Sequence, residues 1–193
     1  DACLVGSEMC IRDRSRCLRS SSYYGFTLRR SVVTTSKGIR PVFQSTNMVN
    51  YWLMKSELDV YPYSQLVQDG STHWDGVRNY QARNMMRDAM KVGDYVLFYH
   101  SNCKPPHIAG IAKVCKEGYP DFTSWDSKSN YFDEKSSPEK PRWFMVDIKP
   151  VTPLKETVSL DSVRNEPSLS EMPLIRRGQR LSIQPVQQLS LIH

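Results

Sequence analysis

The pattern of apolar and polar positions changes character at Asn50. In NYWLMKSE, Trp52 and Met54 fall on one side of an extended chain and Tyr51 and Leu53 on the other, as in a strand buried on both faces. YPYSQLVQDG reads as a short helix, with Ser64 as its cap, Leu66 and Val67 as apolar positions and Gly70 as its stop. The spacing Ala82, Met85, Met86, Ala89, Met90 is a helical stripe, closed by KVGD at Gly93. Asp75 stands where it would cap that helix, which would turn the N–H groups of Val77 and Arg78 outward at a partly positive helix start.

DYVLFYH opposes Tyr95, Leu97 and Tyr99 to Val96, Phe98 and His100, a second strand with two apolar faces. SNCKPP is turn chemistry, because Pro105 and Pro106 cannot continue a ladder, and HIAGIAKV returns as a partner strand. Gly110 and its neighbouring alanines are expected to leave room for another backbone. Residues 117–141 form a long polar segment with Tyr119, Phe122, Trp125, Tyr131 and Phe132 embedded in it. A loop of that length is more often functional or packed as a lid than random. RWFMVDIKPV is a further strand, SLDSVRNEP a short capped helix, and RLSIQPV a last strand with Leu181 and Ile183 opposite Ser182 and Gln184. Mostly short strands with few helices predict an α+β fold, a small, mixed, partly closed barrel with flanking short helices.

Charge changes the picture only locally. The 193 residues carry a net charge of +6, but residues 1–49 hold 8 Lys/Arg against 3 Asp/Glu, and residues 50–193 hold 18 against 17. Bulk charge therefore gives little support to phosphate-driven binding, and any nucleic-acid role must rest on a local site. No run of about 18 apolar residues is present, so no membrane partner is expected.

Three of the five cysteines, Cys3, Cys10 and Cys17, fall in the leader, which argues against a disulfide framework. The opening CLVGSEMCIRDR, within residues 1–14, and the closing LSLIH, residues 189–193, resemble translated adapter read-through and are left out of fold reasoning. Residues 14–49 hold seven Lys/Arg and no Asp or Glu amid many Ser and Thr. That is the composition of a mitochondrial transit peptide or of a basic arm directed to the nucleus or to nucleic acid. The expected domain spans residues 50–188.

Candidate chemistry is sparse. His100, Cys103, His107 and Cys115 superficially offer a Cys2His2 set, but the spacing is not the short paired clasp of a zinc site. A Cys103 and His100 nucleophile pair lacks a third, orienting group. No glycine-rich phosphate loop, GxSxG elbow or paired carboxylate pattern occurs, so no catalytic group, metal or cofactor is expected. What stands out is Trp74, Arg78, Asn79 and Tyr80 around the start of the Met-rich helix: an aromatic face, an amide and a guanidinium are what holds one unpaired base. The plainer reading makes Trp74 a core plug and leaves Arg78 and Asn79 solvated.

YWLMKSELDVY, WDGVRNYQARNMMR, MKVGDYVLFYHSNCKPPHIAGIAKV, GYPD, PRWFMVDIKPV and MPLIRRGQRLSIQPV together resemble the EVE domain, the family that includes the thymocyte nuclear proteins. The resemblance implies a PUA-like fold, no firmly attached catalytic activity, and a role as a reader of modified bases in DNA or RNA, with the eukaryotic form linked to oxidised methylcytosines; separately, a monomer is expected. The resemblance puts Ser56, Trp74, Gly76, Val77, Asn79, Tyr99, His100 and Ser101 around a base pocket. Lys55, Arg78 and Arg180 then serve phosphates or the rim, and Glu57, Ser182 and Gln184 stand nearby. Two other classes stay open: a protein-interaction scaffold presenting residues 117–141, and a nucleotide-directed hydrolase or transferase with His100 as base and Glu57 as acid. Leu58 stands where the family usually has Pro after KSE, which removes a rigid turn beside Glu57. The family's acidic, aromatic C-terminal tail is also replaced here. Localisation is expected to be nuclear or mitochondrial.

Overall fold

The computed structural model describes residues 49–187. The expectations placed on the leader and on the 189–193 tail lie outside the described residues, apart from Val49. In chain order the elements are β1 (Tyr51–Glu57), α1 (Tyr63–Asp69), β2 (Thr72–His73), α2 (Tyr80–Asn84), β3 (Tyr95–Ser101), β4 (His107–Pro120), β5 (Phe144–Ser159), α3 (Leu160–Asn165) and β6 (Ile183–Val186). They build one mixed sheet in the order β2-β5-β4-β3-β1-β6. β1 and β3 run parallel, which requires a crossover, and α1, β2 and α2 supply it. The hydrogen-bonded ladder has two ends, β2 and β6, so the barrel is left open.

The two-sided strands β1 and β3 serve two cores. Trp52, Met54, Val96 and Phe98 point to one face, where Leu66 of α1 and Ala82 and Met86 of the second helical segment cover them. Leu53, Leu97 and Tyr99 point to the other, against Val163 of α3 and Leu169, Met172 and Leu174 beyond it. Each fully buried large side chain stabilises the fold by about 1.5–3 kcal/mol, so neither face is dispensable. Asp94, buried before β3, accepts from the Asn50 N–H (2.9 Å), the Trp52 Nε1–H (2.9 Å) and the Lys91 N–H (3.0 Å), pinning the start of β1 to the turn before β3.

Several expectations are corrected. α1 has Pro62, not Ser64, at its N-cap, although Gly70 ends it as expected. Asp75 does not cap the Met-rich helix: α2 starts five residues later, where the Asn79 side chain accepts from Gln81 N–H (2.9 Å) and Ala82 N–H (3.1 Å). The chain from Trp74 to Asn79 is therefore not a helix start, and the N–H groups of Val77 and Arg78 are not at one. The helix also changes to a π-helical turn over Met85–Ala89 and ends at Met90, before Gly93. Gly110 makes room for a side chain rather than a backbone, since a Cβ there would lie 2.4 Å from the Tyr63 ring. β2 was not expected, because two residues carry no periodic signal.

Candidate functional site

The opposed faces of β1 and β3 sort the expected site residues. Ser56 pairs with His100 and Lys55 with Tyr99 in register, so successive residues of each strand end face opposite sides. Ser56, His100, Trp74 and Val77 stand on the α1 and α2 side; Lys55, Tyr99, Ser101 and Arg180 stand on the α3 side. The two groups meet at the C-terminal ends of the strands, where Ser101 Oγ donates to the Ser56 carbonyl (3.1 Å).

On the first side the polar groups are mostly engaged by the protein. Ser56 Oγ donates to the Tyr61 carbonyl (2.8 Å). His100 Nε2 accepts from the Tyr63 N–H (3.3 Å), so its proton sits on Nδ1, which is buried without an acceptor. Burial, with His107 beside it, holds His100 below its ordinary value. Trp74 is half-buried, its ring edge-on to Phe98 at 5.5 Å. Arg78 is fully occupied. Its Nη1 donates to Asp121 Oδ2 (2.7 Å), its Nε to the Tyr131 carbonyl (2.9 Å), and the guanidinium lies 5.4 Å from the Trp143 ring centre. Asp121, wholly buried, also accepts from the Gly76 N–H (3.2 Å), the Thr123 N–H (2.9 Å) and Thr123 Oγ1 (2.6 Å). Gly76 takes φ 71°, and a Cβ there would meet the Tyr131 ring at 2.6 Å. Gly76, Arg78 and Asn79 thus hold the 121–143 segment and the helix start in place.

On the second side a cleft of ≈ 460 Å³ opens at the strand ends. Its cations are Lys55, Arg164, Arg176, Arg177 and Arg180, and no carboxylate lines it. Tyr99, Leu160, Leu174 and Ile175 supply an apolar wall. Burial pulls the Lys55 ammonium below the ordinary lysine value, and among the described residues its hydrogen-bond partner is the Gln179 carbonyl at 3.4 Å. Arg164 pairs with Asp161 (3.0 Å) and Arg176 with Glu171 (3.4 Å); Arg177 and Arg180 have no carboxylate partner among the described residues. A turn closed by Gln179 N–H to the Arg176 carbonyl (3.2 Å), with Gly178 at φ 78°, brings Arg177 to the rim. Three cations without a carboxylate partner among the described residues, Lys55, Arg177 and Arg180, beside the two paired arginines, favour an anion.

Gln184 of β6 and Ser182, just before that strand, lie on this same side. Gln184 faces Leu53 and donates through Nε2 to the Leu181 carbonyl (2.9 Å), while Gln184 Oε1 and Ser182 Oγ are buried without partners. Glu57 is exposed, and its carbonyl accepts from Val60 N–H (3.2 Å) and Tyr61 N–H (3.0 Å), so the chain turns after KSE without the proline. Glu57 and His100 project from opposite faces, so the acid and base of a hydrolase do not meet. Cys103 Sγ lies 3.7 Å from His107 Nδ1, which bonds to the Pro105 carbonyl (2.8 Å). Among the described residues no group of three or more His, Cys, Asp or Glu is placed to hold a metal.

Sequence reasoning missed Arg164, Arg176 and Arg177 and, in the apolar wall, Leu160, Leu174 and Ile175, while Tyr99 was among its site residues. The two neighbouring arginines were visible in LIRRGQR; Arg164 reaches the cleft only through the packing of α3.

The EVE domain model matches residues 50–191, most of the chain. The chain belongs to the EVE domain family. An uncharacterized protein of Schizosaccharomyces pombe is 40% identical over 151 residues, and this chain spans 63% of its length. Rat thymocyte nuclear protein 1 is 42% identical over 165 residues, 74% of this chain and 70% of that protein. Among solved structures, human THYN1 protein in complex with 5-methylcytosine containing DNA is similar with TM-score 0.69 and 39% identity, covering 74% of this chain and 95% of that one. Among the described residues of this EVE chain, no helix is long and apolar enough to cross a membrane.

Proposed function

We propose that this EVE domain is a non-catalytic nucleic-acid binding module that holds a modified base, in DNA, at the C-terminal ends of β1 and β3. The cleft with Lys55, Arg177 and Arg180 free of carboxylate partners among the described residues carries the reading, because it offers phosphate contacts beside the strand ends that carry Ser56 and His100. The human relative solved with 5-methylcytosine DNA supports the polymer and the base class. Trp74 supplies the stacking ring, the Asn79 amide nitrogen supplies an edge contact, and Lys55 and Arg180, with Ser101 on their side of the sheet, take the flanking phosphates. Arg78 belongs to the scaffold rather than to the ligand. An oxidised methylcytosine fits the same site, and the name of the thymocyte nuclear relatives supports a nuclear location.

Stacking is worth about 1–3 kcal/mol per base, so Trp74→Ala should weaken binding to a 5-methylcytosine oligonucleotide by roughly ten- to hundredfold. Trp74→Phe should recover most of it. Titration of both variants, with thermal unfolding to confirm that they fold, tests this. Parent-like affinity in folded Trp74→Ala removes the stacking role.

One observation favours a second reading. Phe122, Tyr131 and Phe132 are exposed on the clamped 121–143 segment, which is the surface a protein partner would use. Alanine at all three positions would abolish partner capture while leaving nucleic-acid affinity unchanged if that reading holds.

A further inference from the structure

The cleft is larger than a phosphate rim requires. A contact with a phosphate needs one or two cations at an open surface. Here a volume of ≈ 460 Å³ is walled by Tyr99, Leu160, Leu174 and Ile175 as well as by cations. That size falls within the range of sites that enclose a small organic ligand, about 300–1,000 Å³. An apolar wall together with cations of which Lys55, Arg177 and Arg180 have no carboxylate partner among the described residues matches a flat hydrophobic body that carries an anion, which is the chemistry of a nucleotide.

The cleft also lies where a strand would have to pass. Ser56 and Lys55 are consecutive in β1 and face opposite sides, and Ser101 Oγ bonds across to the Ser56 carbonyl at 3.1 Å. A nucleic-acid strand with one base on the Trp74 side would have to cross the end of β1 to reach the cleft on the Lys55 side.

We propose that the cleft takes the nucleotide next to the modified base, with its base against Leu174 and Ile175 and its phosphate between Lys55, Arg177 and Arg180. The recognition unit is then two nucleotides, both unpaired, and binding depends on the neighbour as well as on the modification. Arg177, Leu174 and Ile175 become ligand-contacting residues, none of which the base pocket itself requires. This assignment rests on the function proposed above.

The test uses the full chain and a short single strand carrying one 5-methylcytosine, compared with strands in which the residue on its 5′ or its 3′ side is abasic. One of the two abasic placements should weaken binding by roughly ten- to hundredfold, the loss expected for one stacked base. In Ile175→Ala that penalty should shrink, because the wall the base rests on is gone. Arg177→Ala should lower the slope of log affinity against log salt by about 0.7, one phosphate contact on a single strand. If both abasic strands bind within twofold of the intact one, or Arg177→Ala leaves the slope unchanged, the cleft does not hold a neighbour. That result, with binding still dependent on Trp74, overturns this assignment alone; no binding of the intact strand overturns the proposed function with it.

Discussion

Arg78 and Arg177 are the same residue type on two sides of one sheet, and their surroundings give them opposite work. Arg78 meets a wholly buried carboxylate at 2.7 Å and a backbone carbonyl at 2.9 Å, and is flanked by aromatic rings. Arg177 sits exposed on a turn above a cleft lined by four other cations and no acid. A guanidinium close to a desolvated Asp is part of the fold, because separating them strands a charge; one without such a partner is available to an incoming anion. Motif position alone would have assigned Arg78 to the ligand.

The comparison breaks most easily at Arg78. Arg78→Ala leaves Asp121 buried beside three uncharged donors and removes the anchor of the Tyr131 backbone. The expected loss is about 3 kcal/mol, read from urea unfolding, with nucleic-acid affinity per folded molecule unchanged. A variant of parental stability that has lost affinity would move Arg78 to the ligand side. Gly76→Ala attacks the same clamp from the backbone. A left-handed φ of 71° and a Tyr131 ring 2.6 Å from the new Cβ should cost about 1–3 kcal/mol and release the segment, which limited proteolysis between residues 122 and 140 would detect.

How much of this was legible depends on the range of the cause. β1 and β3 were readable because both faces are apolar, and the alternation that placed Ser56 opposite in facing to Lys55 was already in the sequence. The start of α2 was misplaced because Asp75 and Asn79 are both good caps. What decides between them is Asp121, distant in sequence, drawing in the Gly76 N–H and Arg78. Family resemblance named four residues that line the cleft, Lys55, Tyr99, Ser101 and Arg180, though it put Tyr99 and Ser101 around the base. The cleft's remaining cations come from α3 and a turn that pack together only in the folded chain.

His100 lies between the two regions and gives the comparison a pH axis. The unfolded chain protonates this imidazole near 6.5, while in the folded protein burial and His107 delay protonation to lower pH. The unfolded state then binds more protons across that window, so stability falls as pH drops below about 6.5. Protonation also costs Nε2 its role as acceptor for the Tyr63 N–H. His100→Gln retains a side-chain acceptor without the titration, and its unfolding midpoint should vary less between pH 7.5 and 5.0 than the parent's. Equal pH dependence in the two would place the acid sensitivity elsewhere.

The smallest effect on stability is expected at Arg180, and it is the sharpest test of the cleft side. An exposed cation with no carboxylate partner among the described residues contributes little to folding, so Arg180→Gln should unfold within about 0.5 kcal/mol of the parent. Its effect should appear only against nucleic acid, as a salt slope lower by about 0.7 on single strands and nearly equal losses for modified and unmodified sequences. Loss confined to the modified strand would mean that Arg180 reads the base. Equal loss on both would separate the cleft, which holds the polymer, from the Trp74 side, which distinguishes the base.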